Sequence, residues 1–244
     1  MPERNIVKCR HCDHRTRSRV QGSRLAITRL MPLAATLLVL ASVVLVGCGT
    51  SRHGVENYYP LGRGLVWSYQ SATSGTITLT NLAPRDLAGR RVVPQTFQNP
   101  WMGNLMLFVF ADTNGASALA VQTPAEAGPR VLRNPACFLK YPAKPGLNWF
   151  CPALDDPDQQ GSYMIEAVDD VVTVPAGTFK SCVRVRCDYS VSHPWIGTTL
   201  KEERKWYAPG VGMVKWMTTE HLPGEEFFGP SGMTTTLELV SYKK

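Results

Sequence analysis

Catalytic signatures are missing from this chain of 244 residues. It has no Gly-x-Ser-x-Gly elbow, no His-Glu-x-x-His pair, no P-loop and no Rossmann glycine pattern. That removes the hydrolase, zinc-protease and nucleotide chemistries a sequence can announce by motif. Histidine is scarce beyond residue 47, where only His53, His193 and His221 remain. Surplus charge is lacking too. The chain carries 26 Lys and Arg against 19 Asp and Glu, but residues 1–47 hold eight basic and two acidic residues, leaving 18 against 17. A net charge of +1 from residue 48 onward gives no reason to expect a nucleic-acid partner. The same stretch has no sustained i, i+3, i+4, i+7 apolar spacing, which excludes a helical bundle. Asp155, Asp156 and Asp158 lie close together, but the Asp-x-Asp-x-Asp-Gly register of a calcium loop is absent. A solvated acidic turn is the favoured reading, and neither a metal nor a cofactor is expected.

There is one long apolar run, residues 30–46, with Arg24 and Arg29 before it and Gly47-Cys48 directly after it. A basic flank, a short apolar core and small residues at a cut site make a secretory signal. At 17 residues the run sits at the lower limit for a membrane-spanning helix. Its ending, Leu45-Val46-Gly47-Cys48, resembles the lipobox of bacterial lipoproteins. The resemblance implies cleavage between Gly47 and Cys48, a diacylglycerol thioether on Cys48 and acylation of the new terminus. Several acyl chains anchor stably where one does not. Gly49 follows, with no Asp in that place to retain the protein at the inner membrane, which in such lipoproteins implies sorting to the outer membrane. Cys9, His11, Cys12 and His14 form a tight cluster upstream. A zinc knuckle competes there with an over-long n-region or an upstream start within residues 1–23. The second reading is favoured, because zinc sites ordinarily need a second, separated ligand pair.

The organisation expected is a signal over 1–47, a lipidated tether over 48–57 and a single antiparallel β domain over 58–244. The β reading rests on short runs rich in Val, Thr, Leu and aromatics, parted by Gly, Pro, Asn and Asp. They fall at 65–71, 76–82, 91–98, 105–112, 117–123, 137–141, 147–151, 163–174, 178–190, 198–208, 211–220 and 233–242. Several alternate. Ile77 and Leu79 oppose Thr78 and Thr80, while Val183, Val185, Cys187 and Tyr189 oppose Cys182, Arg184, Arg186 and Asp188. This is the pattern of a sheet with one wet face. Residues 105–110 are apolar on both faces, which suits a central strand covered on both sides. Glu202-Glu203-Arg204-Lys205 reads as charge pairing on a wet surface. The fold expected is a strongly curved antiparallel sheet, or open half-barrel, of about a dozen strands. A faint repeat runs through it: Tyr-Pro-x-x-x-Gly-Leu-x-Trp begins at Tyr59 and again at Tyr141.

Tyr59-Pro60-Leu61 with Gly64 and Trp67, then Val174-Pro175-Ala176-Gly177-Thr178-Phe179, then Tyr207-Ala208-Pro209-Gly210-Val211-Gly212 resembles a family of uncharacterised secreted bacterial lipoproteins. These motifs are turns, so the resemblance implies a fold and no chemistry. The fold it implies is distantly similar to the periplasmic lipoprotein carriers, from which this chain departs in lacking helices to plug a concave face. An exported protein meets an oxidising compartment, and Cys137 and Cys151 flank a hairpin-like segment whose bridging is worth roughly 3 kcal/mol. They are the expected disulfide. Cys182 and Cys187 lie on one strand at odd spacing, too far apart to pair with each other.

Three functions fit. The first is a non-enzymatic binding or interaction module anchored through lipid on Cys48. It would hold an apolar ligand or an envelope protein, with Trp67, Phe108 and Trp149 as candidate lining residues and core packing as their competing role. The second is a lipid or lipoprotein acceptor with an apolar cavity. The third is a cell-envelope hydrolase, for which only His193 and His221 offer a histidine mechanism.

Overall fold

The computed structural model describes residues 54–99, 103–153, 159–193, 197–221 and 232–243. Cys9, Cys12, Gly47, Cys48, His53, Asp155, Asp156 and Asp158 fall outside the described residues, as does the side chain of His193. A single-turn helix α1 (Val55–Tyr58) precedes thirteen strands. These are β1 (Val66–Ser71), β2 (Gly75–Asn81), β3 (Arg85–Leu87), β4 (Arg90–Asn99), β5 (Gly103–Asp112), β6 (Gly115–Gln122) and β7 (Arg130–Lys140). Then come β8 (Asn148–Pro152), β9 (Gln160–Val174), β10 (Gly177–His193), β11 (Gly197–Ala208), β12 (Gly212–His221) and β13 (Met233–Lys243). All ladders are antiparallel, in the order β7-β6-β5-β4-β2-β1-β13-β12-β11-β10-β9-β8, with β3 attached to β4 alone.

The sheet is one long meander whose first and last strands pair, Val66 with Lys243 and Tyr69 with Leu239. Its two outer edges, β7 and β8, come together as well, so the curved sheet nearly closes into a barrel. No ladder joins those two edges among the described residues. Side chains bridge them instead. Trp149 Nε1 donates to the Cys137 carbonyl at 2.6 Å and Cys151 Sγ donates to the same oxygen at 3.0 Å.

Alternation along the strands sets inside and outside. On β10, Val183, Val185, Cys187 and Tyr189 are buried while Arg184, Arg186 and Asp188 face outward. Outward charges cross-link β9, β10 and β11. Arg184 reaches Glu166 at 2.9 Å and Asp170 at 3.0 Å, Arg186 reaches Glu202 at 2.9 Å, and Arg204 pairs with Glu166 and Glu202. Cys182, placed on the wet face by its spacing, is fully buried. The register of β10 against β9 slips around it, and Ser181 next to it takes φ 55°, so Cys182 and Val183 are buried in succession.

β5 is covered on both faces. Leu107 and Val109 point into the barrel, while Phe108 and Phe110 join Val92 and Ala120 in a second, outer cluster. The β3–β4 hairpin covers it, with the Arg85 guanidinium 4.5 Å from the centre of the Phe108 ring and that of Arg90 3.9 Å from Phe110.

The repeated motif is repeated in backbone. Gly64 and Gly146 take φ 80° and 81°, a conformation in which only glycine is unstrained. Gly64 N–H donates to Asn81 O and Asn81 N–H to Leu65 O, both at 2.9 Å. Gly146 N–H donates to Ile165 O at 2.8 Å and Ile165 N–H to Leu147 O at 2.9 Å. Trp67 then sits opposite Leu79 as Trp149 sits opposite Tyr163. Each copy opens a meander of strands, β1 onward and β8 onward.

Candidate binding cavity

One end of the barrel is plugged. Val55 of α1 is buried and Gly210 N–H donates to Asn57 O at 2.6 Å, so residues 54–57, assigned from the sequence to the tether, belong to the fold. Tyr59 follows α1 into the barrel, its ring 4.7 Å from Phe138 and 6.0 Å from Tyr207. Its hydroxyl donates to Gln95 Oε1 at 2.6 Å, and Gln95 Nε2 donates to Asn81 Oδ1 at 2.7 Å. Asn81 Nδ2 in turn donates to the carbonyls of Pro60 and Gly62 at 3.2 and 3.0 Å. A buried polar chain whose members are each paired fixes one arrangement, because an unpaired member costs about 1–3 kcal/mol.

Beyond this plug lies a cavity of about 480 Å³. Its walls are apolar: Trp67 and Tyr69 from β1, Ile77 and Leu79 from β2, Leu105 and Leu107 from β5, Met213 from β12 and Leu237 from β13. At the far end the lining turns polar, with Ser74, Thr123, Arg130, Thr218 and Thr235. That end is where β1 turns into β2 and where β4, β8, β10 and β12 finish. It is the mouth.

A charged pair sits between wall and mouth. Glu203 and Lys205, expected on the wet face, are buried on the inner one; their neighbours Glu202 and Arg204 do face outward. Strand period fixes the split, since residues two apart share a face and Glu203, Lys205 and Tyr207 follow the buried set. Lys205 Nζ lies 2.6 Å from Glu203 Oε2 and 4.5 Å from the centre of the Trp216 ring. The Tyr189 hydroxyl donates to Glu203 Oε1 at 3.2 Å. Trp216 lines the cavity, and its Nε1 is buried with no acceptor among the described residues. By contrast Trp67 donates to Val211 O at 2.7 Å and Trp206 to Asp170 at 2.9 Å.

Of the three lining candidates named from the sequence, Trp67 lines the cavity. Phe108 does not, because it faces the outer cluster. Trp149 does not either. It stacks on Tyr163 at 5.5 Å on the packed side of the barrel, by the seam. Sequence reasoning missed Lys205, Glu203 and Trp216. The available signal was the parity of β11, where Tyr207 and Lys205 must share a face.

Cys137, Cys151, Cys182 and Cys187 are free thiols. Cys137 and Cys151 stand on the two sides of the seam. Burial pushes the Cys151 and Cys187 thiols up to about 12 and Cys182 up to about 11. Burial also holds the Tyr59, Tyr69, Tyr163 and Tyr207 phenols above their ordinary range. Such thiols are poor nucleophiles. His221 ends β12 near the mouth, and no group of three or more His, Cys, Asp or Glu suited to a metal ion occurs among the described residues.

No protein-family model and no curated protein matches the chain. Two crystal structures align with it. One is a protein from Parabacteroides distasonis provisionally classed as a lipoprotein, at 16% identity and TM-score 0.41. The other is a protein from Bacteroides fragilis provisionally classed as exported and given a YmcC-like fold, at 16% identity and TM-score 0.43. Each alignment covers 76% of this chain and 98% of the other. At those scores the likeness carries no function.

Proposed function

We propose that this protein is a lipid-anchored envelope protein whose barrel binds an apolar or amphipathic small molecule, and that it acts by binding and not by catalysis. The observation that supports the binding reading most is the cavity itself. A volume of about 480 Å³, apolar walls and a few polar groups at one end match the usual small-molecule site. The buried thiols and the paired Lys205 and Glu203 offer no activated nucleophile. The anchor reading rests on Leu45-Val46-Gly47-Cys48. An outer-membrane address follows from Gly49 after the acylated cysteine.

Native mass spectrometry tests the binding reading. The full chain, released from nanodiscs equilibrated with single-chain lipids, should carry one such lipid. A Leu237→Trp variant, which puts an indole into the cavity, should lose most of that occupancy while unfolding at the same denaturant concentration. Equal occupancy in the filled variant, or none in the parent chain, contradicts the proposal.

A further inference from the structure

The cavity changes chemistry in layers, and the layers follow the register. Lys205 pairs across to Trp216, and Trp216 to Leu237. One step toward the mouth, Thr218 pairs with Thr235. One step toward the plug come Tyr207, Met213 and Leu239. On the wall made by β11, β12 and β13 the polarity therefore switches over a single layer, from aliphatic and aromatic side chains to hydroxyls. Ser74 and Thr123 bring further hydroxyls to the same end.

Charge sets the second constraint. Two cations border the cavity, and each already has a carboxylate. Lys205 Nζ is 2.6 Å from Glu203 and Arg130 Nε is 3.2 Å from Glu126. An ionised head group would bring an uncompensated charge to a partly buried place, which is costly. Hydroxyls both donate and accept, so they match an uncharged head rich in oxygen. Trp216 Nε1, buried at the boundary layer without an acceptor among the described residues, favours a head that supplies acceptor oxygens.

Size sets the third. At about 480 Å³ the cavity lies in the lower part of the usual range for small-molecule sites, the size of a single-chain ligand.

We infer that the cavity takes a single-chain acyl ester of a polyol, tail first, with the uncharged ester and hydroxyl head at the level of Thr218 and Thr235. This rests on the binding reading above and goes further by naming the ligand's class and direction. Monopalmitin, palmitate and hexadecane share one chain and differ in head. The full chain in nanodiscs, offered equimolar amounts of the three at pH 8, should retain monopalmitin at least tenfold over either of the others by native mass spectrometry. A Thr218→Val, Thr235→Val double variant should lose that preference by about fivefold or more and keep its binding of hexadecane. Preference for palmitate overturns the inference, since Lys205 or Arg130 would then be reading a carboxylate. Equal retention of all three, or an unchanged preference in the double variant, also overturns it while leaving the cavity reading standing. If none of the three is retained, the binding reading falls and the inference with it.

Discussion

Lys205 shows what a single buried cation does in this barrel. Its amine is held by Glu203 at 2.6 Å and by the face of Trp216, and Glu203 is almost wholly buried. Lys205→Met removes the cation 2.6 Å from that carboxylate, so it should destabilise the fold by about 3 kcal/mol in denaturant titration. Lys205→Met combined with Glu203→Gln should recover most of the loss. A pair that mattered little would show no recovery. The thiols give a pH signature. Cys187 holds its proton to about 12, against an ordinary value of 9.0 that an unfolded chain would show. Between these values the unfolded state has lost protons that the folded state keeps, so stability falls as pH rises. Cys182 and the buried tyrosines act in the same sense. The unfolding midpoint should drop steadily from about pH 9 to pH 12. A rising or level midpoint in that window would count against the burial described. At this scale the sequence was only partly legible. Trp67 was found by its place after a turn, whereas Phe108 was not separable from Leu107, because residues 105–110 are apolar in both phases. Burial of the second phase depends on the β3–β4 hairpin lying over it.

Elements were more legible than residues, because a half-buried strand writes its period of two into the chain. Each expected strand overlaps an observed one. The exceptions are polar. β3 carries Arg85 and Asp86 and pairs only with β4. The first half of β7 contains Arg133, Asn134 and Pro135, which read as a break. Those residues build one side of the seam, so the seam was hidden as well. It is the weak line of the barrel, since side chains replace the ladder there. Cys137 and Cys151 face across it, and in an oxidising compartment we expect them to be bridged. Non-reducing peptide mapping of the exported protein should find the 137–151 linkage and leave Cys182 and Cys187 alkylatable after unfolding. Finding either of the latter in a disulfide would contradict this. The Tyr-Pro-x-x-x-Gly-Leu-x-Trp repeat was visible in the sequence. Only the matching glycine φ values and the matching hydrogen bonds show that its Gly-Leu-x-Trp half is one backbone solution used twice, while the Tyr-Pro bond is cis at Tyr141 and trans at Tyr59.

Within residues 54–243 the described strands form a nearly closed barrel with a plug at one end and hydroxyls lining the other. The expected curved sheet was right in kind. Its closure was not legible, because β1 meets β13 across almost the full length of the domain and no local pattern encodes that pairing. The cavity follows from closure and was hidden with it. The proposed anchor belongs to the chain before the barrel. Cys48→Ala should shift the protein from a processed membrane form to a soluble or uncleaved one in fractionation, and persistence of a processed membrane form would refute the lipobox reading. The central claim is that an acyl chain lies inside the barrel. A single-chain lipid carrying a diazirine in its tail, added to the full chain in nanodiscs and irradiated, tests it most directly. Labelled peptides should map to Leu107, Met213 and Leu237, in the cavity wall. Labels confined to outward-facing residues such as Phe150 and Val171 would contradict it.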